Sequence, residues 1–292
     1  MVRFDWRGCH GHFDHGEGRQ VVLGTQGDDQ FLFGDADLLG AQQRGGDQIV
    51  KGLAGGDRGI AGDAREMSGE ARGGDDIVLG GPGDDARPPV GTSGPTGLAG
   101  DALSMRDASR GGNDLVSGGE GSDWLFGDAD GMSGNARGGD DRLFGGPGND
   151  VLWGDAFTLE GNARGGNDLI SGGSGDDIIW GDGNMAPQAI PGGNASRGGN
   201  DLLIGGAGGD TFVFVGLFGN DVIVDLGRGA DKLDFGAYLP DASGNLVLVD
   251  LGLADLHVEQ DRHGTTITVD VGSTHGTVVL PGVTGSLDAY FA

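Results

Sequence analysis

Aspartate stands at the sixth position of one short glycine-rich stretch after another: Asp57, Asp76, Asp85, Asp114, Asp123, Asp141, Asp150, Asp168, Asp177, Asp201 and Asp210. Carboxylates and backbone carbonyls are oxygen donors, and a hard cation such as calcium takes six to eight of them at about 2.3–2.6 Å in a forgiving geometry. Glycine supplies positive φ values that other residues avoid, so a glycine-rich hexapeptide can turn tightly and aim its carbonyls inward. Gly118, Gly145, Gly172 and Gly205 open such turns and are candidate carbonyl donors. Turn preference alone also favours Asp and Asn, but it does not fix aspartate at one position of every repeat. The chemistry expected here is calcium binding.

These residues belong to a longer repeat. Between Gly118 and Gly181 the chain divides into lines of nine, and the series that begins at Gly118 begins again at Gly145 and at Gly172, 27 residues apart each time. A fixed period of this kind means a solenoid, in which each coil buries its apolar face against its neighbours. The first line of each set, as in Gly172-Gly-Ser-Gly-Asp-Asp177-Ile-Ile179-Trp, is Gly-Gly-x-Gly-x-Asp-x-apolar-x. The third, as in Ala136 to Phe144, keeps Gly-Gly at positions three and four, Asp at six and an apolar residue at eight. Over roughly residues 24–213 these lines resemble the repeats of the RTX (repeats-in-toxin) calcium-binding β-roll proteins. That resemblance implies ions held between successive loops on one side of a roll, and export by type I secretion on an uncleaved C-terminal signal.

Composition agrees with a calcium-dependent chain. Glycine contributes 67 of 292 residues, far above a globular domain, yet without the three-residue period of collagen. The formal net charge is −27, so self-repulsion opposes compaction until a counter-ion is present. About one divalent ion for each of the eleven aspartates would add about +22. Nucleic acid and anionic membrane surfaces are disfavoured partners, being negative too. Cys9 has no second cysteine to pair with, and no apolar run reaches membrane-span length. Met1-Val-Arg-Phe-Asp-Trp-Arg lacks the apolar core of a cleaved leader. Residues 1–20 read as a separate segment and polar end cap, although Cys9, His10, His12, Asp14 and His15 are transition-metal ligand types.

The middle line of each set carries Gly-Asp followed by Ala or Gly, at Gly34, Gly62, Gly100, Gly127, Gly154 and Gly181. Insertions containing Pro88-Pro89 and the segment between Asn184 and Asn194 flank or occupy this line, which favours a two-stranded coil with one short and one long loop. A three-sided coil of 27 residues is the alternative. Apolar ladders are expected along Val50, Val78, Val116, Leu143, Ile170 and Leu203, and along Leu125, Leu152, Ile179 and Phe212. With coils about 4.8 Å apart, six or seven of them make a rod on the order of 30 Å long. Leu39, Met67, Met105, Met132 and Leu159 are expected to fold back over an aromatic stripe of Phe33, Phe126, Trp153 and Trp180. Arginines recur at 44, 72, 110, 137, 164 and 197. They are expected to pair with carboxylates such as Asp128 or Asp155; the sharper alternative is a ladder that binds an acidic polysaccharide.

Past Asp210 the period stops. Thr211–Val215, Asp221–Leu226, Leu246–Val249, Thr265–Val271 and Thr277–Leu280 read as strands that cap the open end of the solenoid. The division expected is an N-terminal segment (1–20), a calcium-binding roll (21–213) and a β-rich C-terminal cap (214–292) whose last residues resemble a type I secretion signal. His-Glu-x-x-His, Gly-x-Ser-x-Gly and the phosphate-binding Gly-x-x-x-x-Gly-Lys are absent, and the short stretch before the repeats leaves no room for a catalytic domain. The reading is an all-β parallel β-roll, non-enzymatic, extracellular and structural. It folds on calcium and self-associates into surface-layer, filament or matrix material. The alternative is a monomeric adhesion or carbohydrate-binding module.

Overall fold

The computed structural model describes residues 20–85, 97–185, 196–240, 246–272 and 274–291. The Cys9–His15 segment and the bulk of both insertions lie outside them. Three β-sheets account for the described chain, with two 3-10 turns as its only helical elements. Among the described residues no helix is long and apolar enough to cross a membrane.

One coil shows how the sequence sets the fold. Leu115–Glu120 forms a strand of the first sheet, the glycine-rich turn to Asp123 follows, and Trp124–Phe126 enters the second sheet. Gly127-Asp128 then turns the chain into Ala129–Met132, a strand of a third sheet, before Arg137 to Asp141 leads back to Arg142–Pro147 in the first. The coil is therefore three-sided, and the two-stranded geometry is corrected. The middle line holds only Ala and Met as regular apolar residues, but both point inward: Ala102, Ala129 and Ala156 align, as do Met105, Met132 and Leu159. The insertions do not share one place either. Residues 86–96 precede the second-sheet strand Leu98–Ala99, whereas residues 186–195 follow the third-sheet strand Gly183–Met185.

Strands stack in parallel and in register, coil on coil. Val50, Val78, Val116, Leu143, Ile170 and Leu203 form one continuous ladder, and Leu125, Leu152, Ile179 and Phe212 another. All are fully buried and meet in one core with Met67, Met105, Met132 and Leu159. Those methionines consequently do not cover the aromatic stripe. Neighbouring residues of a strand face opposite ways, so Leu125 enters the core while Phe126 leaves it. Phe126 and Trp153 stack at 5.0 Å on the outer face. Leu103 and Phe157, which follow the inward Ala102 and Ala156, cover them from the third sheet, with Phe157 edge-on to Trp153 at 5.5 Å.

At the C-terminal end the pattern changes to antiparallel. Lys232–Pro240 pairs with Leu246–Leu251 in the second sheet. Thr274–Pro281, Gly264–Val271 and His257–Asp261 extend the first. Four of the five expected strands lie where the sequence placed them. The fifth is shifted to Leu217–Ile223, with Asp225 and Leu226 in the following turn. Phe214, Phe218 and Phe235 cluster beneath this end, and Phe291 stacks on Phe235 at 6.0 Å, which ties Phe291 to the core.

Candidate metal centres

The eleven sixth-position aspartates are all buried, at no more than 3 % exposure, and fall into two columns along the solenoid. Asp57, Asp85, Asp123, Asp150, Asp177 and Asp210 line the corner between the first and second sheets. Each is held in the same way: Asp85 N–H donates to Asp123 Oδ1, Asp123 N–H to Asp150 Oδ1 and Asp150 N–H to Asp177 Oδ1, each at 2.8 Å. One carboxylate oxygen is thus consumed by the neighbouring coil. The other, Oδ2 of Asp57, Asp85, Asp123, Asp150 and Asp177, is buried with no hydrogen-bond partner. Gly118, Gly145, Gly172 and Gly205 sit against Oδ2 of Asp123, Asp150, Asp177 and Asp210, close enough that a Cβ would collide with it. Burial pushes the carboxyl of Asp57 and Asp150 up to about 6, of Asp123 and Asp177 to about 7, and of Asp85 to about 8, against the backbone hydrogen bonds that favour the charged form. Desolvation raises Asp210 as well.

Two glycines per turn are indispensable here. Gly146 has φ +118° and Gly148 φ +152°, and a Cβ on Gly146 would collide with the Gly119 carbonyl one coil away. Gly146→Ala combines backbone strain with overpacking against a fixed neighbour. The expected loss is about 2–5 kcal/mol, read as a lower denaturation midpoint in saturating calcium.

Asp76, Asp114, Asp141, Asp168 and Asp201 form the second column, between the third sheet and the first. The same backbone ladder recurs, with Asp76 N–H donating to Asp114 Oδ1 at 2.7 Å and Asp114 N–H to Asp141 Oδ1 at 2.7 Å, and it ends on Asp221. Again every Oδ2 in this column is buried and unpartnered. Across from it stands a third set that sequence reasoning assigned elsewhere: Asp63, Asp101, Asp128, Asp155 and Asp182 of the Gly-Asp lines, all buried. Asp128 Oδ1 accepts from Gly139 N–H at 2.9 Å and Asp155 Oδ1 from Gly166 N–H at 2.7 Å. The available signal was positional, since Gly-Asp recurs in every coil as strictly as the sixth-position aspartate.

The expected pairing of these aspartates with arginine is therefore corrected. Arg44, Arg72, Arg110, Arg137, Arg164 and Arg197 form a column of parallel bridges on the exterior, exposed to solvent, and none forms an ion pair among the described residues. Asp128 and Asp155 turn inward and accept from the N–H groups of Gly139 and Gly166.

Among the described residues no Lys, Arg or His is buried as a whole, and the buried Nε of Arg58 makes no hydrogen bond to any carboxylate, so no buried cation pairs with these carboxylates. The donors are oxygen throughout. Paired carboxylates with free inward oxygens, presented by tightly turned glycine backbone, fit calcium and suit neither zinc nor copper, which favour nitrogen and sulfur. When bound, the ion supplies positive charge between coils. The chain's own residues orient the carboxylates and set the coil spacing.

Comparison with known proteins agrees with this geometry. Residues 70–86, 110–131, 135–157 and 162–184 match the RTX calcium-binding nonapeptide repeat in four copies. No curated protein matches the chain. Solved structures that match include the extracellular lipase LipA from Serratia marcescens, at 18% sequence identity and a TM-score of 0.24, over 96% of this chain and 40% of the lipase chain. This chain thus spans well under half the length of that protein. Over the matched residues its coils are RTX calcium-binding nonapeptide repeats.

Proposed function

We propose that this chain is an extracellular, non-enzymatic structural protein, exported by type I secretion, that folds when it meets calcium and then associates with further copies of itself. The observation that carries the calcium-driven part is the set of buried carboxylate columns with unpartnered Oδ2 atoms and, among the described residues, no buried cation paired with them. Cytosolic calcium is too low to fill weak oxygen sites, so the chain stays expanded inside the cell and compacts outside.

Self-association is supported by the contrast between two sheet edges. The first sheet ends on His257–Asp261, where Glu259 and Asp261 guard the edge with charge. The second ends on Leu246–Leu251, where Val247, Leu248 and Val249 are 42%, 50% and 38% exposed. An edge strand that exposes three consecutive apolar residues beside a single charge, Asp250, invites pairing with another chain.

A second reading, a monomeric carbohydrate-binding module, rests on the arginine column. Six exposed guanidinium groups in single file, on a chain of net charge −27, would suit an acidic cell-surface polysaccharide. Sedimentation velocity in chelator and then in millimolar calcium separates the readings. Compaction followed by large species supports assembly. Compaction without growth, together with polysaccharide binding that is lost in the variant R137Q/R164Q/R197Q, supports the module. No change with calcium overturns both.

A further inference from the structure

The geometry points to a second, chemically distinct file of divalent-cation sites, built from the Gly-Asp aspartates and the third-line aspartates together. The carboxylates of Asp101, Asp128 and Asp155 face those of Asp114, Asp141 and Asp168, and calcium is the ion they would take. This rests on the calcium reading of the repeats and goes beyond it, because the Gly-Asp residues lie outside the glycine-rich hexapeptide turns.

All six carboxylates are buried. Each spends Oδ1 on one backbone N–H: Asp101, Asp128 and Asp155 on Gly112, Gly139 and Gly166, and Asp114, Asp141 and Asp168 on the aspartate of the preceding coil. Each is left with an Oδ2 that is buried and has no partner. The carboxylates of the file crowd the same short stretches of glycine backbone. A Cβ on Gly138 would collide with Asp128 Oδ2 and crowd Asp155 Oδ1, so successive Gly-Asp carboxylates flank a single glycine. One on Gly127, the residue before Asp128, would collide with Asp141 Oδ2. At the last coil the arrangement closes completely, and Asp182, Asp201 and Asp221 each offer a carboxylate oxygen within 4.8 Å of the others. That separation suits ligands of one ion with oxygens about 2.3–2.6 Å from it.

Charge distinguishes this file from the turn sites. The corner between the first and second sheets presents one buried aspartate per coil, whereas the second file presents two, so one divalent ion per coil neutralises it. Calcium affinity rises with the charge of the ligand set. The second file is therefore the tighter class of site, the first to fill as calcium rises.

The test uses the full chain with Asp101→Asn, Asp128→Asn and Asp155→Asn combined. Asparagine keeps an oxygen for each glycine N–H and removes only the charge. Calcium stoichiometry is counted by native mass spectrometry across a calcium titration, with compaction followed in parallel. About three fewer ions than the unsubstituted chain, lost from the tight class, is the expected result. An unchanged count with unchanged affinities overturns the second file while leaving the turn sites standing. An unsubstituted chain that binds no calcium refutes the underlying calcium reading instead. Where the triple variant does not compact, Asp128→Asn alone decides: one ion fewer supports the file, and an equal count overturns it.

Discussion

Chelating calcium is expected to abolish amide protection along Leu115–Glu120, Arg142–Pro147 and Leu169–Ser174, with exchange accelerated at least about a thousandfold, as a loss of about 4 kcal/mol gives. The C-terminal strands Lys232–Pro240 and Gly264–Val271 keep more of theirs. One coil buries a residue such as Val116, Leu125 and Met132 from each of its three sides, together with small alanines. At about 1.5–3 kcal/mol for each large side chain, this falls well short of the entropy of ordering 27 residues at about 1–2 kcal/mol each. Backbone ladders help, but each coil also buries three aspartates, such as Asp123, Asp128 and Asp141. An unpaired charge out of water costs several kcal/mol. The C-terminal end is built differently: Phe214, Phe218, Phe235, Val269 and Leu280 form an apolar core there, and Asp221 and Asp231 are the buried aspartates beside it. Hydrogen exchange with mass spectrometry, in chelator and in calcium, reads both regions in one experiment. Protection along the coils that is indifferent to chelator would sink the prediction.

The legible parts of this structure are those where one residue type decides the outcome. The ladders of Val116 and Leu125 follow from alternation in a strand, and the sixth-position aspartates follow from the glycine turns around them. The third sheet was illegible for a physical reason. A strand written Ala-Asp-Gly-Met carries little β propensity, and it exists because neighbouring coils hold it in register. The direction of Asp128 was equally hidden. A carboxylate near a recurring arginine suggests an ion pair, whereas here the deciding interaction is an N–H of Gly139 eleven residues on. Lys232–Pro240 and His257–Asp261 were missed because glycine, proline and charge dilute their pattern; partner strands make them regular.

Protons should do in part what calcium does. In chelator, lowering the pH from 8 toward 4.5 is expected to compact the chain and restore β structure. Burial raises these carboxyls, to about 7 for Asp101, Asp123 and Asp155 and about 8 for Asp76 and Asp85, from an ordinary value of 3.8. Between those limits the folded, metal-free coil binds more protons than the unfolded chain, so its stability falls as pH rises through the window and is greatest near its lower end. Taking one such aspartate from 3.8 to about 7 corresponds to about 4 kcal/mol of preference for the neutral form. A few of them together rival the 5–15 kcal/mol that stabilises a whole domain. Calcium and protons then compete for the same oxygens in the compact state, so calcium added to the acid-compacted chain displaces protons and its midpoint climbs as the medium is acidified, whereas at pH 8 the unfolded aspartates are already ionised and folding by calcium releases few. General relief of the −27 net charge is the rival explanation, and salt separates the two. At 0.15 M the Debye length is about 8 Å, which screens exposed charges but not a file of buried carboxylates. Compaction by acid but not by 0.5 M sodium chloride at pH 8, followed by light scattering and circular dichroism at low protein concentration, places the effect in the buried columns. Equal compaction by salt alone would assign it to surface repulsion and leave the columns without a part in the switch.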